Sequence, residues 1–279
     1  MTMSKRKRYI SLTALYILVT ILMIIILFPL YWLVTTSIKP PVEWINHPPV
    51  FVPSKIYLEN YVEILLNSSF QRAAINTVVA SIFGTLVPLF FGSMVAYSLA
   101  RINFKFKRSI VASILLNRMI PPVILLIPYF TIMRSLHLLD TKIGLIIVRL
   151  YLMFPFSVWM LLGFFQRIPV EIDDAAKIDG CDLFGRFLRM GIPLGKVGFA
   201  TAGIFIFIVA WNEFLFSMTI TSLHAKTLPV MLASYVGENS MKWGPITALS
   251  TVSIIPVFLV TFLGQKYFVR GITLGAVKG

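Results

Sequence analysis

The chain has 279 residues, of which 58% are hydrophobic and only 13% charged, and its mean hydropathy is +0.86. Soluble domains carry roughly 25% charged residues, so most soluble enzymes and any disordered protein are excluded. The formal charge of +14 suggests an anionic partner, but the hydrophobicity has to be explained first.

A membrane crossing needs about 20 mostly apolar residues. The chain offers six such runs, at about 9–36, 73–100, 109–133, 143–165, 197–221 and 245–268. Residues 1–8 are a basic N-terminus carrying Lys5, Arg6, Lys7 and Arg8. The first run is too long for a secretory signal core and lacks a small-x-small cleavage site, so a retained anchor is expected. Residues 37–72 form a loop in which ENYVEIL reads as a short interfacial helix, with Trp44 and Tyr57 suited to headgroup depth. In the third run, Pro121 and Pro122 should kink the helix. The loop at 222–242 is polar enough to meet a soluble partner. Sixteen of the 25 basic residues fall in alternate segments: the N-terminus, the second-to-third loop, the fourth-to-fifth loop and the C-terminus. The positive-inside rule then places both termini in the cytoplasm. The expected architecture is all-α and polytopic. It has six transmembrane helices, an extracytoplasmic loop at 37–72, a five-helix core at 73–268 containing a cytoplasmic loop at 166–196, and a cytoplasmic tail at 269–279.

Polar residues inside spans are costly and mark a pathway or a structural pair. Arg118 lies in the third run, Arg149 in the fourth and Glu213 in the fifth, with Asn76 and Asn212 adding neutral hydrogen-bonding groups. Glu213 could neutralise one arginine, or the set could line a path for a hydroxyl-rich solute. The sequence leaves both open.

Five of the eleven acidic residues crowd between 171 and 182: Glu171, Asp173, Asp174, Asp179 and Asp182. Pro169 suits a helix start, acids in the first turn complement the helix dipole, and Gly180 suits a stop. Asp182 can cap a second short helix bearing Leu183, Phe184, Phe187 and Leu188, ending before Pro193. Two short helices joined at a glycine make a docking knob, slimmed by Ala175 and Ala176, or an ordinary amphipathic segment. The residues alone leave the two level.

The run resembles the cytoplasmic loop of ABC-importer permeases, whose pattern is E-A-A, three residues, G, nine residues, I-x-L-P. Here it reads Asp174-Ala175-Ala176, then Gly180, then Met190-Gly191-Ile192-Pro193, with every spacing kept. The departures are Asp for Glu, Met for Ile and Ile for Leu. Trp211-Asn212-Glu213 and the ending RGITLGAVKG are similar to the smaller permease subunit of maltose-type carbohydrate importers. The resemblance covers essentially the whole chain.

It implies a type I importer permease fold in a bacterial or archaeal cytoplasmic membrane. Asp174, Ala175, Ala176, Asp179, Gly180, Met190, Ile192 and Pro193 would couple it to an ATPase. Gly275, Ala276, Val277, Lys278 and Gly279 would reach the same subunits. The implied partners are a second, homologous permease chain, two ATPase subunits and an extracytoplasmic solute-binding protein. The cargo would be a sugar, oligosaccharide or polyol derivative.

No catalytic site is expected, and no nucleic-acid partner. The stretch GIPLGK at 191–196 lacks the spacing and the hydroxyl residue of a phosphate-binding loop. The resemblance therefore assigns ATP and magnesium to the partner ATPase, with no cofactor in this chain. A single cysteine, Cys181, and three histidines argue against an internal disulfide or a metal cluster. The alternative is half of an ion-gradient-driven secondary transporter. That class uses intramembrane carboxylates as relays, and here Glu213 stands alone well within a span.

Overall fold

A computed structural model describes residues 5–236 and 242–276, and among these the regular structure is entirely helical. In order, the helices are α1 (Lys5–Ser37), α2 (Glu59–Leu66), α3 (Ser68–Arg101), α4 (Lys107–Asn117), α5 (Leu126–Ser135) and α6 (Lys142–Phe165). They continue with α7 (Val170–Ile178), α8 (Leu183–Arg186), a π-turn (Phe187–Gly191), α9 (Ile192–Leu194) and α10 (Lys196–Trp211). Last come α11 (Leu215–Ile220), α12 (Leu228–Val236) and α13 (Trp243–Ala276).

Four segments, in α1, α3, α6 and α13, are long and apolar enough to cross a membrane as single helices. Two more qualify only as bent pairs: Lys107–Asn117 with Pro122–Ser135 at 93°, and Leu183–Leu194 with Lys196–Trp211 at 80°. The third run is therefore broken rather than merely kinked. Pro121 sits at ψ 127° ahead of Pro122, because a residue before proline is driven out of the helical region and neither ring can donate an N–H. The fifth run is interrupted too, with α10 ending at Trp211 and α11 starting at Leu215.

The chain divides into two compact units, Met1–Asn67 with Ser234–Ile254, and Ser68–Ala233 with Ile255–Gly279. In the first unit the polar clamp is Asn60, whose Nδ2 donates to the carbonyls of Ser37 (2.9 Å) and Lys39 (3.2 Å). ENYVEIL does form a helix, α2. Trp44 takes on a packing role: a Cβ at Gly244 would lie 2.3 Å from its Cζ2.

In the second unit α3 and α6 form the core pair. The buried face of α3 carries Asn76, Ala80, Gly84, Pro88, Gly92 and Ala96 at four-residue spacing. Small residues at this period let backbones approach closely, which is how apolar helices associate in lipid. A Cβ at Gly92 would lie 1.8 Å from Ser157 Oγ, and one at Gly84 would lie 2.7 Å from Arg149 Cβ. Ser157 Oγ donates across the pair to the Pro88 carbonyl at 2.7 Å. One apolar cluster joins Ala96, Tyr97 and Leu99 to Leu161, Phe165, Phe187 and Ile206. A second joins Ala80 and Val148 to Phe216, Ile220 and Ala225.

Candidate functional site

The acidic patch folds into two short helices. Pro169 precedes α7, Glu171 and Asp173 occupy its first turn, and Lys177 its last. Gly180 follows the helix at φ +80°, in the left-handed region, where L side chains are penalised. The Gly180 N–H donates to the Lys177 carbonyl (3.0 Å) and the Cys181 N–H to the Ala176 carbonyl (2.9 Å), so the last carbonyls of α7 are satisfied. Asp182 Oδ1 accepts from the Gly185 N–H at 2.8 Å and starts α8. The following run does not end before Pro193. A π-turn over Phe187–Gly191, in which the Ile192 N–H reaches back to the Phe187 carbonyl, carries it into α9, where Pro193 is the second residue.

Two neighbouring aspartates have opposite surroundings. Asp174 is exposed beside Lys177 (2.6 Å), and the hydrogen bond and charge of Lys177 hold its carboxyl below the usual carboxylate range. Asp173 is buried. It pairs with Arg101 Nε at the end of α3 (2.5 Å), accepts from the Tyr97 hydroxyl, and faces Arg186 Nη1 of α8 at 4.0 Å. Arg101 also donates to the Ile168 carbonyl at 3.1 Å. One carboxylate thus ties α7 and α8 to the end of a core helix. On the outward side Asp174, Ala175, Asp179 and Gly180 are exposed, and Ile178 is 87% exposed. Ala176 faces inward, so only Ala175 slims the outer surface. Met190 and Ile192 are half-buried and Pro193 is exposed.

The polar residues within the spans separate into two groups. Arg149 is fully buried; its Nε donates to the Ala210 carbonyl (3.1 Å) at the end of α10, and its Nη1 lies 3.9 Å from Glu213 Oε2. Glu213 accepts from the Phe216 N–H (2.7 Å), the Ser217 N–H (3.1 Å) and Ser217 Oγ (2.6 Å), capping α11. A cation at the end of one helix and an anion at the start of the next favour the break through both helix dipoles. Glu213 therefore has Arg149, not Arg118, as its arginine neighbour. Arg118, Asn212 and Glu213 line one pocket of about 610 Å³, with Asn117, Tyr151, Leu152, Val209 and Phe214 among its other walls. Asn76 lies elsewhere, its Nδ2 donating to the carbonyls of His224 (2.9 Å) and Lys226 (3.0 Å).

Residues 89–274 match the model of the binding-protein-dependent transport system inner membrane component family. The chain belongs to this family. It is 35% identical to the sulfoquinovosyl glycerol transport system permease protein SmoH of Agrobacterium fabrum, over 95% of this chain and 93% of that one. It is 34% identical to the trehalose transport system permease protein SugB of Mycobacterium tuberculosis, over 91% and 93% of the two chains. Among solved structures it resembles a bacterial ABC transporter that imports the acidic polysaccharide alginate, at a TM-score of 0.83 and 25% identity over 96% of this chain and 99% of that one. The chain is thus an ABC-importer permease, a transport subunit of the cytoplasmic membrane rather than an enzyme.

The permease also uses residues that carry no local signal. Asp140, between α5 and α6, sits at φ +55°, and its carboxylate accepts from the N–H groups of Ser222, Leu223, His224 and Ala225 and from Ser222 Oγ, all at 2.9–3.1 Å. Burial would raise its pKa, but the four backbone donors outweigh burial and hold it well below the usual carboxylate range. Thr77 Oγ1 accepts from the Leu228 N–H at 2.8 Å. With Asn76, these contacts fix the loop after α11 to the core. Gly275 and Ala276 are the last residues of α13, whereas Val277, Lys278 and Gly279 lie outside the described residues.

Proposed function

We propose that this chain is one of two homologous permease subunits of an ATP-driven carbohydrate importer. It crosses the membrane six times with both termini in the cytoplasm. An extracytoplasmic binding protein delivers the solute, and two ATPase subunits bind ATP and magnesium. The carbohydrate assignment is supported by relatives named for sulfoquinovosyl glycerol and trehalose transport. Asp174, Ala175, Asp179 and Gly180 form the surface that seats on an ATPase subunit. Met190, Ile192 and Pro193 shape the run that follows, and the tail from Gly275 to Gly279 makes a second contact.

The observation that carries this reading is the two-sided construction of α7. Its outer face leaves Ile178 and two carboxylates exposed, as a docking surface requires. Its inner face is fixed to α3 by the Asp173–Arg101 pair at 2.5 Å. Motion imposed on the outer face therefore reaches the bundle through a charged, buried joint. Glu213, spent on capping α11, leaves the gradient-driven alternative without a free relay.

The test is uptake of labelled disaccharides into vesicles containing the co-purified complex, with binding protein outside and ATP inside. Nothing within this chain lies within 4 Å of a Cβ at Gly180, so comparing two side chains of similar size there separates backbone conformation from bulk at the docking surface. Gly180→Val, which resists positive φ at a cost of about 1–2 kcal/mol, is expected to lower uptake per ATP hydrolysed. Gly180→Asn, which tolerates that region, is expected to stay near wild type. Equal coupling in both variants, with the complex assembled, would remove the coupling role from this turn.

A further inference from the structure

We propose that the pocket beside the α10–α11 break is a solute subsite selective for saccharides bearing an anionic group, with Arg118 as its specificity-determining residue. This rests on the carbohydrate-importer reading above and goes further by assigning charge to the cargo. The pocket holds about 610 Å³, within the range of roughly 300–1,000 Å³ typical of small-molecule sites.

Two charged side chains line this pocket, and they differ in what they already hold. Glu213 has both oxygens committed to the start of α11, and the buried Arg149 guanidinium lies behind it at 3.9 Å. That pair is locally neutral. Arg118 is exposed in the pocket and has no carboxylate partner among the described residues. Its guanidinium instead stacks 4.5 Å over the Phe156 ring, an arrangement that occupies one face and leaves the in-plane N–H donors available. A cation kept in an apolar segment without a protein counter-charge is costly, and such groups serve as ligand counter-ions.

The remaining walls suit a sugar. Asn117 Nδ2 and the Tyr151 hydroxyl stand 3.3 Å apart, and Asn212 donates its amide to the Ile208 carbonyl at 2.8 Å, which leaves its Oδ1 as an acceptor for hydroxyls. Leu152, Val209 and Phe214 supply apolar surface for the C–H face of a ring. A guanidinium edge binds carboxylate, sulfonate or phosphate oxygens in the same forked geometry. A neutral sugar would displace water from Arg118 and return a hydroxyl hydrogen bond but neither an ion pair nor the forked two-oxygen contact.

The test is titration of the intact transporter complex in phosphatidylcholine discs, where no anionic headgroup competes. The probes are neutral disaccharides and their uronate, sulfonate and 6-phosphate derivatives. At least one acidic probe is expected to bind about tenfold more tightly than its neutral parent, with the preference shrinking as salt rises. Arg118→Gln should abolish that preference and leave neutral binding within about twofold, while Arg118→Lys should keep part of it. Equal binding of acidic and neutral probes by the wild type overturns the proposal whether or not the variants fold. A preference that survives in Arg118→Gln removes Arg118 from it. Vesicle uptake of neutral saccharides alone defeats this inference and spares the importer reading; uptake of no saccharide at all, despite acid-selective binding, defeats the carbohydrate reading and spares the site.

Discussion

At Asp140, one carboxylate collects four backbone N–H groups and a hydroxyl from a loop more than 80 residues later in the chain. Its pKa is depressed, so its stabilisation is complete above the ordinary carboxylate value of about 3.9, declines as pH falls below that, and is gone once pH has passed the lower native value. Exchange protection of the amides at 222–225, corrected for intrinsic rate, should therefore stay flat between about pH 8 and pH 5. Asp140→Asn should accelerate exchange there by about tenfold at neutral pH, the loss of roughly one charged hydrogen bond. Unchanged exchange would show that other contacts, such as Asn76, hold the loop. No property of the sequence around position 140 announces this role, since every donor is remote. Asp173 and Asp174 teach a related lesson. The chain's densest acidic patch was visible, and Pro169, Gly180 and Asp182 marked the helix boundaries because each acts through its own backbone. Adjacent positions on a helix face about 100° apart, and only Arg101 and Tyr97, brought by α3, decide that Asp173 turns inward.

At the scale of an element, α3 is defined by what it lacks. Its Gly84, Pro88 and Gly92 stand in plain view in the sequence, but the partner does not, because apolar composition alone does not choose among neighbouring helices. The structure selects α6 through close approaches at Gly84 and Gly92. Gly92→Val would force a side chain into Ser157 and should destabilise the complex by about 1–3 kcal/mol, read as a lower detergent melting temperature. Adding Ser157→Gly should recover part of that loss. Recovery by a distant substitution, but not by this one, would contradict the contact. The doubled proline in the third run promised a kink, and the 93° turn exceeds it. Two successive rings forbid helical geometry over more residues than one ring does, and sequence spacing carries no angle.

For the molecule as a whole, the proposed coupling to an ATPase turns on the α7 joint, where Asp173 meets Arg101. Asp173→Asn leaves Arg101 buried beside a neutral partner, and removing one member of a buried pair typically costs about 3–5 kcal/mol. In the assembled transporter it should leave ATP hydrolysis measurable while uptake falls by at least about tenfold. Exchanging the charges, Asp173→Arg with Arg101→Asp, should recover uptake in part if the pair itself transmits motion; Tyr97 and Arg186 limit how fully. Intact uptake in Asp173→Asn would place the linkage elsewhere. The six apolar runs and the family motif made the architecture legible, whereas the proposed route from α7 to the bundle depends on burial, which no single sequence declares.

The 80° angle between the Leu183–Leu194 run and α10 gives that route a bell-crank geometry. The first arm, about 18 Å long at a rise of 1.5 Å per residue, is held along its length by packing of Tyr97 against Phe187 and Gly191, and Gly195 at the elbow packs close to Phe165, whose Cε1 would lie 3.1 Å from a Cβ there. In the proposed coupling, a thrust across that arm would reach α10 as rotation about the elbow, so the stroke would be redirected and not simply relayed. With the fulcrum held, the amplitude at the far end of α10 is set by the ratio of the two arms, and lengthening either one changes the throw of the machine without touching its chemistry.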